Sequence, residues 1–195
     1  MLAPNPVPRF VILLFTLTAS CAHVASPPTT APTFSLSALA DEIDAARFGD
    51  AAPSATPGEG KGGIQPGKVR FYSVKKPFRV YRLYSNSNPQ GARGRWWTPI
   101  VPTGTRDDYR LHYGICTGWN PDLNTVVACD LKAGTQFAFG PGESVNGPAD
   151  STLGCANEVY PDDDEHLQIM LVQPVNERVE TCEERPMQWQ PGDNR

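Results

Sequence analysis

The 195-residue chain has three histidines, five cysteines, no Cys-x-x-Cys pair, no run of Lys or Arg, and no apolar stretch long enough to cross a bilayer. Each absence excludes something. Scattered histidines without paired cysteines argue against a zinc site, and no metal is expected. With 17 basic against 21 acidic side chains and a net charge of −4, the chain lacks the clustered cations that neutralise phosphates. Nucleic acid is therefore excluded as the main ligand, and so is a polybasic membrane patch. Ser144 is not in a Gly-x-Ser-x-Gly elbow, and no Walker or dinucleotide-fold glycine fingerprint is present. Asp162, Asp163 and Asp164 lack EF-hand spacing and read as a solvated acidic turn.

What is present begins with an apolar run at 10–17 followed by Leu17-Thr18-Ala19-Ser20-Cys21. The run falls short of the about 20 residues a transmembrane helix needs, but suits the apolar region of a signal peptide. Small residues ahead of a single cysteine predict a bacterial lipoprotein signal at 1–20 with lipidation at Cys21. An ordinary secretory signal is the alternative. Either way the chain is expected outside the cytoplasm: in the periplasm or outer membrane as a lipoprotein, or secreted. The membrane is then reached through the anchor at Cys21 only. The remaining cysteines, Cys116, Cys129, Cys155 and Cys182, form an even set, which in an exported chain favours disulfides. Three connectivities are possible, and the short loops favour Cys116–Cys129 with Cys155–Cys182.

Residues 21–68 are rich in Pro, Ala, Ser, Thr and Gly and read as a disordered tether. Within it, Leu36, Leu39, Ile43 and Phe48 fall near helical spacing after a Ser, predicting a short helix at 35–48. From 69 the texture changes to β-branched and aromatic runs separated by Gly, Pro, Asn and Asp. One domain of about 120 residues is expected, at 69–185, followed by a flexible tail at 186–195. Strands are predicted at 69–74, 78–85, 96–100, 125–131, 136–140 and 167–173, and a helix at 106–115. Gly140-Pro141-Gly142 reads as a turn. The fold class is α+β, mainly β, with two small packed antiparallel or mixed sheets and one or two short helices.

Three segments carry candidate chemistry. In Phe78-Arg79-Val80-Tyr81-Arg82-Leu83-Tyr84, alternation puts Arg82 on the face of Phe78 and Val80. If that face is the inner one, its guanidinium must meet either an acid or an anionic ligand. Gly94-Arg95-Trp96-Trp97-Thr98 brings two adjacent indoles that point to opposite sides of a strand, one for the core and one for a cleft. The third, Tyr160 to Leu171, sets an acidic loop before a strand where His166 and Gln168 share a face.

An arginine flanked by aromatics on a first strand, then Gly-x-Trp-Trp-Thr, then a Tyr-Pro loop leading to a strand bearing Gln, resembles the ADP-ribosyltransferase-like fold. The likeness is to the NAD-consuming bacterial toxin domains and covers roughly residues 77–174. It implies that Arg82 grips the phosphate or ribose of NAD, that Trp97 or Thr98 lies on the nicotinamide side, and that Gln168 takes the terminal catalytic position. It also assigns Tyr84 and His166 to the NAD-binding set. The Ser-Thr-Ser motif is absent, and His166-Leu167-Gln168 stands where transferases carry Glu-x-Glu. The resemblance therefore leans toward NAD glycohydrolysis or a noncatalytic relative rather than mono-ADP-ribosyl transfer to an arginine.

The alternative is a noncatalytic, disulfide-stapled envelope lipoprotein that binds a protein or glycan partner, its aromatics serving as core and contact surface. Convergence of Arg82 and Gln168 on one cleft beside Trp96 or Trp97 favours the enzyme. Arg82 paired with a surface acid favours the binder.

Overall fold

A computed structural model describes residues 34–148 and 155–191, so the predicted signal and Cys21 lie outside the described residues. In chain order the elements are α1 (Leu36–Leu39), β1 (Ala40–Ile43), α2 (Ala45–Phe48), β2 (Arg70–Val74), β3 (Phe78–Tyr84), β4 (Trp96–Trp97), α3 (Arg106–Tyr113), β5 (Thr125–Leu131), β6 (Gln136–Gly142), β7 (Val145–Asn146), β8 (Val159–Tyr160), β9 (Asp163–Leu171) and β10 (Val179–Pro186). One antiparallel sheet has the order β1-β2-β6-β9-β4, a second the order β10-β5-β3, and β7 pairs with β8.

Period-two alternation sorts the side chains into layers. Val74, Phe137, Ile169 and Leu171 from the first sheet meet Phe78, Val80, Tyr84, Val127 and Leu131 from the second, and this is the main core. The opposite face of the first sheet offers Phe71, Ala138 and Met170. The outer face of the second offers Leu83 and Val126, covered by Tyr109 of α3, Leu123, Met187 and Trp189. The fold is thus mainly β with small antiparallel sheets and few short helices.

Helix α3 is specified locally. The Thr105 hydroxyl accepts the Asp108 N–H at 3.1 Å, acids fill the first turn, basic residues the last, and Gly114 closes the helix in the left-handed conformation.

Several expectations are corrected. The segment 34–68 is part of the domain, not a tether. Its β1 pairs with β2 from Ala40↔Val74 to Ile43↔Phe71, and Phe48, Ala55 and Ile64 are buried on the first sheet. Few apolar residues suffice because Ile43, Phe48, Ala55 and Ile64 are buried, and Gly60, Gly62, Gly63 and Gly67 supply positive-φ turns rather than slack. The helix expected at 35–48 is two single turns around a strand, since the edge of β2 offers Ala40–Ile43 hydrogen bonds that outweigh their helical spacing. Gly140-Pro141-Gly142 continues β6 instead of turning; Gly140 and Pro141 stand opposite Gln168 and Leu167, and the register shifts before Gly142. The acidic turn is strand from Asp163 onward. Nor are residues 186–191 a free tail: Pro186 ends β10 and the Trp189 indole N–H donates to the Leu123 carbonyl.

The disulfides are Cys116–Cys155 and Cys129–Cys182, not the short-loop pairs. Cys129 lies on β5, whose neighbour β10 carries Cys182 between Glu180 and Glu183, where the register shifts. Strand adjacency, not loop length, selects the partner. Two disulfides suit an oxidising, non-cytoplasmic environment. Among the described residues, no helix is long and apolar enough to cross a membrane.

Candidate functional site

The two sheets are bridged where the backbone of Tyr81 on β3 exchanges hydrogen bonds with that of Thr98 just beyond β4, both at 2.8 Å. Beside this junction opens a cavity of about 460 Å³, within the roughly 300–1,000 Å³ usual for small-molecule sites. β3 supplies Arg82 and Leu83; β4 and the residue before it supply Arg95, Trp96 and Trp97; α3 supplies Tyr109 and Tyr113; β9 supplies Gln168. Trp119 and Asn120 enter from the loop after α3, and Lys61 from the amino-terminal segment.

The side chain of Arg82 is carried inward with Phe78 and Val80. Its Nε donates to the Gly91 carbonyl at 2.5 Å and its Nη1 to that of Trp96 at 2.7 Å. Burial lowers its pKa to about 10, which leaves it charged at neutral pH. No carboxylate pairs with it among the described residues, so two neutral carbonyls orient a cation whose charge is not cancelled. A Cβ at position 94 would lie 2.2 Å from Nη2, so any side chain there would displace the guanidinium from this position.

Gln168 is 5% exposed, and its Nε2 has no hydrogen-bond partner among the described residues. An orphaned buried amide costs about 1–3 kcal/mol, which a ligand acceptor would relieve. Gly142 makes its position possible: a Cβ there would sit 2.8 Å from Nε2.

The aromatic wall is braced from behind. The Trp97 indole N–H donates to the Gly94 carbonyl at 2.8 Å, and the Tyr113 hydroxyl shares a 3.0 Å hydrogen bond with that of Thr98. Burial raises the pKa of both Tyr109 and Tyr113, so both hydroxyls stay neutral. Arg110, buried on α3, donates to the carbonyls of Ile115, Asn120 and Pro121, which fixes the loop carrying Trp119 and Asn120. Sequence reasoning missed Arg110, although a basic residue near a helix C-terminus before a Gly-rich loop is a recognisable brace.

Of the residues singled out from sequence, Arg82, Trp97 and Gln168 line one cavity; Tyr84, Thr98 and His166 do not. Tyr84 is in the core and donates its hydroxyl to Glu184 at 2.8 Å. Thr98 is buried behind the wall, 1% exposed. His166 turns to Asp163, whose carboxylate it shares with His112. Lys61, Arg95 and Trp119 also line the cavity and were not anticipated, because their neighbours in sequence give no pattern.

The cavity therefore holds three cations, Lys61, Arg82 and Arg95, with five aromatic residues and, among the described residues lining it, neither Asp nor Glu. In a chain of net negative charge this is a selective arrangement. It suits an anionic ligand with planar rings, and it contains no carboxylate to act as a base. Comparison with known proteins finds no matching family model, no matching curated protein and no matching solved structure.

Proposed function

We propose that the chain binds NAD in this cavity and hydrolyses its N-glycosidic bond. The observation that supports this reading most is that Arg82 and Gln168, distant in sequence, line the same carboxylate-free cavity with Trp97. Arg82, with Lys61 and Arg95 at the rim, attracts the pyrophosphate. Trp97 packs against the nicotinamide, whose ring stacks favourably on an indole. Gln168 hydrogen-bonds the nicotinamide-side ribose.

The reaction asks little covalent chemistry of the protein. As the bond between the ribose anomeric carbon and the pyridinium nitrogen breaks, its electron pair passes to the ring, and nicotinamide leaves neutral. The sugar passes through an oxocarbenium-like state, water adds, and a proton goes to solvent. Products are nicotinamide, ADP-ribose and a proton. Holding the dinucleotide bent and stabilising the developing charge supply the rate. Activation of a protein acceptor asks for a carboxylate base, which the wall lacks, so water is the acceptor.

The ADP-ribosyltransferase-like resemblance, an exported location and lipidation at Cys21 belong to the same reading: an envelope-displayed or released enzyme that meets NAD on reaching a target cell. The purified full chain, incubated with NAD, is expected to release nicotinamide, and Arg82→Ala to abolish release. A chain that binds neither NAD nor ADP-ribose would instead support the noncatalytic protein- or glycan-binding reading.

A further inference from the structure

Behind the cavity wall, α3 and β9 meet at a second cluster of chemistry-bearing side chains. His112 Nδ1 lies 2.8 Å from Asp163 Oδ2, and His166 Nδ1 lies 3.0 Å from the same oxygen. The two imidazoles are stacked, with centroids 3.7 Å apart and planes 20° apart. All three groups are part-buried, and their ligand atoms lie within 4.8 Å of one another.

We propose that His112, Asp163 and His166 bind one borderline divalent transition-metal ion of the zinc class, tying α3 to β9. Two nitrogens and one oxygen form a donor set that suits such ions, whereas calcium and magnesium take oxygens. Bonds of about 2.0–2.1 Å in a tetrahedral site separate ligand atoms by roughly 3.3 Å, so the two imidazole–carboxylate distances of 2.8 and 3.0 Å need to lengthen only slightly. Without the ion the Nδ1 N–H groups donate to Asp163; on binding, the ion takes their place, each Nδ1 gives up its proton and turns its lone pair to the ion, and Nε2 carries the remaining ring proton. A water completes the fourth position.

The surroundings are those of a supported ligand rather than a chance contact. Asp163 Oδ1 accepts the backbone N–H groups of Glu165 and His166, both at 2.8 Å, which fixes the carboxylate and leaves Oδ2 for the ion. Asp163 also lines a surface hollow with Gln65, Lys68, Asp162, Asp164 and Glu165, where Lys68 pairs with Asp164 and the other acids leave the approach net negative. The site is separate from the cavity, and none of its three residues lines the cavity wall. It still bears on that wall, since Tyr113 follows His112 and Gln168 lies on the strand that carries His166. The ion is a positioning element and takes no part in chemistry at the cavity.

The experiment uses the full chain without an affinity histidine tag, stripped with a chelator. It measures Zn²⁺ and Co²⁺ binding by calorimetry and equilibrium dialysis, with the visible absorption of bound Co²⁺ as a signature of nitrogen and oxygen ligands. Expected are one ion per chain, a raised melting temperature, and at least a 10–100-fold loss of affinity in His112→Gln, His166→Ala and Asp163→Asn, each checked for fold by circular dichroism. Asp163→Asn keeps the side-chain shape and serves if a histidine variant does not fold. His23→Ala, which replaces the remaining histidine, is expected to bind as well as the wild type. Absence of stoichiometric binding, or binding that survives these substitutions or is lost in His23→Ala, would overturn the proposal.

Discussion

Arg82 Nη1 donates to the Trp96 carbonyl at 2.7 Å, and this bond joins the two sheets beside the cavity. The backbone of β4 thereby orients the guanidinium without neutralising it, while the same guanidinium fixes where the indoles of Trp96 and Trp97 stand. A cation held by carbonyls alone is free to meet an anion.

Arg82→Lys is expected to be nearly as damaging as Arg82→Ala, because an ammonium cannot reproduce the planar fork that reaches both Gly91 and Trp96. Hydrogen bonds to charged groups are worth about 1.5–3 kcal/mol each, so losing both is expected to lower unfolding stability by about 3–6 kcal/mol as well as weaken NAD binding. Urea denaturation and calorimetric titration with NAD check the two effects separately.

At Gly142, a methyl group would press on Gln168 Nε2 and on the His112 carbonyl, at 2.8 and 3.3 Å. Gly142→Ala is expected to cost about 1–3 kcal/mol by overpacking and to lower NAD turnover by displacing the amide. Unchanged turnover in a folded variant would detach Gln168 from the site.

The disulfides are checked by mass spectrometry of a nonreducing digest, which is expected to link the peptides of Cys116 with Cys155 and Cys129 with Cys182. Their sequence separations are 39 and 53 residues. Loops of that size are worth about 4 kcal/mol each by chain-entropy arithmetic, so the double variant Cys129→Ser with Cys182→Ser is expected to melt well below the wild type.

Alkaline pH is expected to act through the tyrosines whose hydroxyls burial holds protonated, Tyr109 and Tyr113 at the cavity together with Tyr84 and Tyr160. Burial, then the hydrogen bond to Glu184 and its charge, push the Tyr84 hydroxyl up to about 12; burial and Glu158 do the same for Tyr160. The unfolded hydroxyls titrate near about 10. A raised pKa means that the folded state favours the protonated form, so this stability is fully present below about pH 10 and is lost as pH rises through about 12. Urea midpoints across that window check it, and Tyr84→Phe is expected to flatten the dependence.

Legibility followed local pattern. β3 and β5 were readable because β-branched and aromatic residues alternate there, and α3 because its apolar residues share a helical face. β10, Val-Glu-Thr-Cys-Glu-Glu-Arg-Pro, was not: it is an exposed edge strand held by backbone hydrogen bonds and a disulfide, with no buried face to leave an apolar period. The amino-terminal segment was hidden by its composition, since Ala55 and Ile64 are core residues set among turn formers. Arg82 was readable as a polar residue on the strand face of Phe78 and Val80, whereas Gln168 was reached only through the resemblance, since alternation sets it with His166 opposite Leu167, Ile169 and Leu171. The pairing of His112 with Asp163 and His166 was not readable, because it depends on α3 crossing β9.

The most direct measurement is chromatographic quantification of nicotinamide released from NAD by the purified full chain, beside folded Arg82→Ala and Gln168→Ala. Release by the wild type and a fall of at least about 100-fold in each variant are expected. No release by the wild type, or equal release by all three, would contradict NAD hydrolysis in this cavity.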